Sequence, residues 1–273
     1  MYNKYPSQRR LINRQSRQIE QPKDQNNKIS MNENYHNFFK NLYFDKLRNI
    51  KMIDQDTNII WESKPRVLTC CIIEPRVIDT LPGVLYNIAN IYGNKGVGLT
   101  IYHGNNNINY IKTITSKWKN VEYKSLNVDN LHRNNYSYLL TQKGFYKSFT
   151  SSHVLIFQSD SYIFKKIPDY YFQFDYVGAP WIKSKGNGCG NGGISLRNVE
   201  TMVRVSEING SNLHEDIFFA GKNILVCNNY ENHKAFSTEG IFHPKPMCCH
   251  QPYFSMTDKN KTQEYLNFLN KII

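Results

Sequence analysis

The chain has 273 residues and a formal charge of +12, with 40% hydrophobic, 14% aromatic and 21% charged residues, a composition that excludes a disordered polymer. No run of about 18 apolar residues is present to cross a bilayer, and the N-terminal segment lacks the apolar core of a secretory signal. A soluble, cytoplasmic protein with enough chain to bury a core is therefore expected, and its basic balance favours an anionic partner without choosing among nucleic acid, membrane and phosphorylated ligand.

Residues 1–34 are rich in Gln, Asn, Arg and Lys without apolar periodicity, which predicts a disordered basic arm. Its first 28 residues hold seven basic side chains against Glu20 and Asp24, so +5 sits there and +7 remains with the rest. From Tyr35 the pattern changes. Tyr35, Phe38, Phe39, Leu42, Tyr43, Leu47 and Ile50 recur on one helical face. That face must be covered, either by the domain behind it or by a second copy in a homodimer.

Val67–Ile73 is a continuous apolar run, the mark of a strand buried on both faces. Pro75 ends it, and a helical stretch around Val84–Ile91 follows. Gly96–Tyr102 reads as a second strand, Ile108–Trp118 as a helix, Val121–Leu126 as a third strand, Tyr136–Phe149 as a helix and His153–Phe157 as a fourth strand. This alternation predicts βαβ units and a mainly parallel sheet covered on both sides, with ligands bound beyond the carboxyl ends of the strands. Glycines then crowd at 178, 186, 188, 190, 192 and 193, which reads as an irregular loop whose backbone comes close to something. Regular texture returns at Asn198–Ser206 and Leu213–Gly221, followed by a strand near Phe236 and a closing helix over Gln263–Ile272.

The chemistry-bearing residues are few. The fourth strand runs into Gln158-Ser159-Asp160, a carboxylate placed where a ligand or metal sits, or else a turn cap. His214-Glu215-Asp216 opens a helix-like segment, where acids serve as dipole partners or as a held general base. Cys248-Cys249-His250 has soft-metal ligands but no second pair at matching spacing, so a zinc site is set aside. Cys70 and Cys71 read as small core residues. No phosphate loop is present, and the glycines at 186–190 precede no helix, so the dinucleotide fingerprint fails.

In order along the chain, FQSD (157–160), DYVGAPW (175–181), GNGGISLR (190–197), EDIFF (215–219), AFSTEG (235–240) and a late His-x-Pro-aromatic at 250–253 resemble a glycosyltransferase-like family catalogued as a domain of unknown function. That family is similar to the nucleotide-sugar-dependent glycosyltransferases of GT-A fold. The resemblance spans roughly Arg66 to Tyr253. It implies an α/β fold: a GT-A-like, Rossmann-type mixed sheet flanked by helices in a single catalytic domain (66–254), preceded by the arm (1–34) and a lead-in helix and linker (35–65), and closed by a C-terminal helix (255–273).

By position, the resemblance places Asp160 and His250 as ligands of Mn²⁺ or Mg²⁺, hard cations suited to oxygen donors. Gln158 stands where such enzymes carry the first acid of their DxD motif. Gln158, Ser159, Glu74, Arg76, Gly192 and Gly193 fall on the donor side, and Trp181 offers a face for the acceptor sugar. Asp216, with Glu215 as the alternate, takes the place of the base in an inverting transfer. The implied activity is transfer of a hexose from a UDP-sugar, UDP-glucose or UDP-galactose, to a hydroxyl of a glycan or protein acceptor. The Asn-, Lys- and Ile-rich usage points to an AT-rich genome such as that of a giant virus or a protist, with host cytoplasm or virion as the compartment and a collagen-like chain among the acceptors. The rivals are a catalytically degenerate sugar or nucleotide-sugar binder and a basic nucleic-acid-binding protein, the latter without any recognisable nucleic-acid-binding signature.

Overall fold

The structure is a computed structural model that describes residues 23–53, 58–181, 190–207, 213–220 and 230–273. In chain order the helix α1 (Lys23–Asn49) is followed by β1 (Ile59–Ile60), β2 (Leu68–Glu74), α2 (Leu81–Tyr92), β3 (Gly98–His103), α3 (Ile108–Ile114), β4 (Trp118–Lys119) and β5 (Glu122–Ser125). Then come α4 (Arg133–Leu140), α5 (Lys143–Lys147), β6 (His153–Phe157), β7 (Ser161–Ile163), β8 (Tyr176–Ala179) and β9 (Asn191–Asn198). The remainder contributes α6 (Val199–Ser206), α7 (Glu215–Ala220), α8 (Tyr230–Phe236), β10 (Ser237–Thr238), β11 (Cys248–His250) and α9 (Thr262–Leu269).

Among the described residues a six-stranded sheet has the order β5-β3-β2-β6-β9-β8. β5, β3, β2 and β6 run parallel, and β9 pairs antiparallel with both β6 and β8. A smaller sheet, β10-β11-β7, stands beside it. This is a mixed α/β sheet flanked by helices: its parallel half is the one the strand and helix alternation predicts, and the antiparallel β9 makes it mixed, as the resemblance implies. Every residue of β2 is buried, and successive side chains enter opposite layers: Cys70 and Ile72 join the larger apolar cluster, Cys71 and Ile73 the smaller. The chain leaves β2 toward β3 on one side and returns to β6 on the other, so the strand order reverses between β2 and β6. Such a reversal opens a crevice at the carboxyl edge.

Several expectations need correction. α1 begins at Lys23, inside the stretch expected to be an unstructured arm; residues 1–22 lie outside the described chain. The 35–50 face is covered by its own domain. Phe39, Tyr43, Leu47 and Ile50 are buried and share the larger cluster with α2, Tyr253 and the α9 residues Tyr265, Phe268 and Leu269, so that face needs no second copy. Phe38 alone among them stays exposed. The 136–149 helix is two short ones, because Gln142 adopts an extended backbone and caps α5. The helix expected to reach Trp118 stops at Ile114, where the Thr115 hydroxyl bonds the Ile111 carbonyl, and Trp118 pairs with Ile59 instead. The strand expected near Phe236 is present as β10, directly after the helix α8 that ends at that residue. No helix among the described residues is long and apolar enough to cross a membrane.

Gly83 shows how tightly α1 is seated. A Cβ there would fall 1.8 Å from the Leu47 carbonyl oxygen of α1. Alanine favours helices over glycine by about 1 kcal/mol, but a backbone oxygen in that position cannot step aside. Gly83→Ala is therefore expected to destabilise the protein by about 1–3 kcal/mol, as overpacked cores do, read as a lower urea midpoint at unchanged slope. A neutral or stabilising effect would show that α1 is not held as described.

Candidate active site

At the reversal between β2 and β6, the strand ends, the following turn and the start of β9 enclose a cleft of about 690 Å³. Ten of the residues singled out in the sequence line it: Glu74, Arg76, Gln158, Ser159, Asp160, Gly192, Gly193, Glu215, Asp216 and His250. Trp181 does not. Its ring is partly buried against the smaller apolar cluster, and the exposed aromatic in the cleft wall is Phe254.

One side of the cleft is built at the end of β2. Glu74 is buried, and both its oxygens hold the Arg76 guanidinium, at 2.8 Å from Nε and 2.8 Å from Nη2. Ser159 Oγ donates to Glu74 Oε2 at 3.0 Å, and the Ser159 carbonyl accepts from Thr80. A bidentate carboxylate fixes the orientation of the guanidinium plane as well as its place, while the Arg76 side chain stays half exposed to the cleft.

The centre is formed by the turn from β6 to β7. Gln158 N donates to Gly193 O and Ser161 Oγ braces the same carbonyl, tying the turn to β9. Asp160 Oδ2 accepts from Gln251 Nε2 at 2.5 Å, and its Oδ1 lies 3.1 Å from His250 Nε2. Gln251 is a non-glycine in the left-handed region, at φ 45°, a conformation stored where surrounding structure demands it. Here it turns the amide onto Asp160. Behind the turn, Tyr43 of α1 donates to the Asp160 carbonyl at 2.8 Å.

His250 is buried between two carboxylates, with Nδ1 3.3 Å from Glu239 Oε2. Burial disfavours a charged ring, but Asp160 and Glu239 outweigh it and push the pKa up to about 10. Burial likewise opposes ionisation of Asp160, and the charge of the nearby His250 ring with the hydrogen bond from Gln251 overrides it, holding that carboxyl below its ordinary range. Yet neither His250 nitrogen nor Glu239 Oε2 forms an aligned hydrogen bond. Buried polar atoms left so are uncommon and ask for a partner. On the Asp160 side, a carboxylate oxygen facing the unsatisfied Nε2 at 3.1 Å suits a divalent cation that completes its shell with ligand oxygens and water. Among the described residues no group of three or more His, Cys, Asp or Glu side chains is arranged to hold a metal on its own. A histidine ligates only as the neutral ring, so proton and cation compete for this site.

The third part is the mouth of α7. Glu215 is buried, and its Oε1 lies 3.3 Å from Nη2 of Arg197. Arg197 is wholly buried and also donates to Ser195 Oγ at 2.9 Å, Tyr146 Oη at 2.9 Å and Tyr176 Oη at 3.5 Å. Its guanidinium lies over the Tyr176 and Phe219 rings. Asp216 is less buried, and one of its oxygens accepts the N–H of Ile217.

Of the glycines expected in an irregular stretch, Gly178 lies in β8 and Gly192 and Gly193 in β9, and close approach explains the last two. A Cβ on Gly192 would fall 2.1 Å from Glu215 Oε1, and one on Gly193 2.2 Å from His250 Nδ1. Successive strand residues point to opposite faces, so the pair admits one functional side chain from each side of the sheet. The expected glycines at 186 and 188 lie outside the described residues. Sequence reasoning did not single out Asn191, Arg197, Glu239, Gln251 or Phe254. The first three lie within the motifs GNGGISLR and AFSTEG, which were visible, but their partners are remote in sequence.

Residues 120–250 match a family described as a protein of unknown function, DUF5672. No curated protein matches the chain. Among solved structures the chain is similar to the apo form of the glycosyltransferase GlyE of Streptococcus pneumoniae TIGR4, at 9% sequence identity and a TM-score of 0.42, over 76% of this chain and 63% of that one.

Proposed function

We propose that the cleft binds a nucleotide sugar, with UDP-glucose and UDP-galactose the first donors to test, and transfers its hexose to a hydroxyl of a glycan or protein acceptor. The observation that carries this reading is the Asp160–His250 pair, in which Nε2 faces the carboxylate without an aligned hydrogen bond, set in one cleft with Glu74–Arg76 and with Glu215 and Asp216. In this reading Asp160 and His250 hold Mn²⁺ or Mg²⁺, and Gln158 offers its amide alone. The cation supplies positive charge for a departing diphosphate.

The chain's own residues do the rest. Arg76, oriented by Glu74 and Ser159, presents N–H donors to the donor's nucleoside or phosphate oxygens. Positive charge develops on the sugar ring during transfer, and the carboxylates at the mouth of α7 face the cleft where that charge needs stabilising. Asp216, the freer of the two acids, accepts the acceptor hydroxyl's proton in an inverting transfer. Glu215, already engaged by Arg197, is the alternate. Phe254 takes the place of Trp181 as the aromatic face available to a sugar.

Asp216→Asn is expected to lower release of UDP from UDP-glucose or UDP-galactose by about 10²–10⁴-fold, the range of a lost acid–base group, while donor affinity stays unchanged. Full turnover in this variant would remove Asp216 from the role. Binding without any UDP release in the parent protein would favour a non-catalytic nucleotide-sugar binder, a reading to which Gln158 lends some support.

A further inference from the structure

Glu239 belongs to the AFSTEG segment and has no part in the mechanism above. It lies 9% exposed in the cleft wall. Its Oε1 accepts from Asn191 Nδ2 at 2.6 Å, and its Oε2 faces His250 Nδ1 at 3.3 Å. Asn191 in turn accepts the Gly193 N–H on Oδ1 at 2.8 Å, and Gly193 is the residue whose missing Cβ leaves room for the His250 ring. The imidazole is thus held on three sides: glycine at its flank, Glu239 at Nδ1 and Asp160 at Nε2. A carboxylate at Nδ1 favours a hydrogen on that nitrogen, which directs the Nε2 lone pair to the side where Asp160 lies. Metal-bound histidines commonly give their second ring N–H to such a carboxylate, which fixes tautomer and ring rotation and raises ligand basicity.

We infer that Glu239 is a positioning residue of the cation site, selecting the Nδ1–H tautomer of His250 and thereby setting affinity for the divalent cation, with Asn191 holding Glu239 in place. The inference rests on the proposed cation site and goes beyond it by assigning a residue that touches neither cation nor sugar.

The test is the affinity for Mn²⁺, measured by the electron paramagnetic resonance signal of the free ion in the presence of UDP, together with the thermal midpoint of the metal-free protein. Glu239→Ala is expected to weaken Mn²⁺ binding by about 10–100-fold, the usual effect of losing such a partner. Glu239→Gln, which keeps an acceptor oxygen without the charge, is expected to fall between it and the parent. Asn191→Ala, which leaves the acid but frees it, is expected to weaken binding less than Glu239→Ala. A folded Glu239→Ala or Glu239→Gln protein that binds Mn²⁺ as tightly as the parent overturns the inference, even where its thermal midpoint drops. If Asp160→Ala abolishes binding while the Glu239 variants do not weaken it, only the role of Glu239 falls. If the parent binds no Mn²⁺, or binds it independently of Asp160, the cation site falls and this inference with it.

Discussion

Asp160→Ala is expected to abolish cation-dependent binding of UDP-glucose and UDP-galactose, a loss of at least hundredfold, or about 2.8 kcal/mol. The turn that carries Asp160 is braced by other groups: Ser161 Oγ to the Gly193 carbonyl, Tyr43 Oη to the Asp160 carbonyl, and Thr80 Oγ1 to the Ser159 carbonyl. None of these uses the Asp160 side chain, so the fold should survive the change. What the alanine removes is the carboxylate facing His250 Nε2 at 3.1 Å and accepting from Gln251. Chelating the cation from the parent protein should reproduce the same loss, whereas Asp160→Asn, which keeps a neutral oxygen donor, should fall between. Unchanged calorimetric affinity in Asp160→Ala would remove the cation from this place.

Glu215→Ala is expected to be the most destabilising change at the site, by about 3–5 kcal/mol, because it strands a buried guanidinium without its counter-ion. Arg197 is 0% exposed, and among the carboxylates described only Glu215 is recorded within ion-pair distance of it. The Tyr146, Tyr176 and Ser195 hydroxyls satisfy N–H groups but carry no charge. Removing both partners should cost less than removing one, since replacing a buried pair by apolar groups of similar volume is often neutral. The double variant Glu215→Ala/Arg197→Met is therefore expected to recover most of the stability lost by Glu215→Ala. Urea denaturation of the two variants decides it, and a loss below about 1 kcal/mol in the single variant would show that the pair does not operate as a buried ion pair.

The two predictions concern side chains that the sequence reveals unequally. The central strands are legible because the apolar runs at 67–73, 96–102 and 153–157 alternate with helical segments, and a strand buried on both faces has few other ways to read. Asp160 is legible because it follows such a strand directly. Arg197 is not, since a basic residue in a strand otherwise reads as an exposed one. Its burial is made possible by Glu215, and by Gly192 leaving room between them, a three-body arrangement that no local pattern encodes. Glu239 is hidden for the same reason: its partners are Asn191 and His250, joined only once β9 and β11 are in place. The resemblance alone places Trp181 at the acceptor, and whether its ring lines the cleft depends on the smaller apolar cluster, against which it is partly buried.

Charge also reads differently in the folded chain. The protein carries +12, yet the cleft gathers Glu74, Asp160, Glu215, Asp216 and Glu239 against Arg76, Arg133 and His250. Its basic excess lies elsewhere. A cleft of this composition does not attract a diphosphate or a nucleic-acid backbone by itself, and in the proposed reading a divalent cation is what makes it hospitable to one.

The measurement that tests this most directly is calorimetric titration of UDP-glucose, and separately of UDP-galactose, into the protein with Mn²⁺ and again with the cation chelated. The account predicts saturable binding with Mn²⁺ that disappears on chelation. No saturable binding of either donor with Mn²⁺ present, or equal binding with the cation removed, would contradict it.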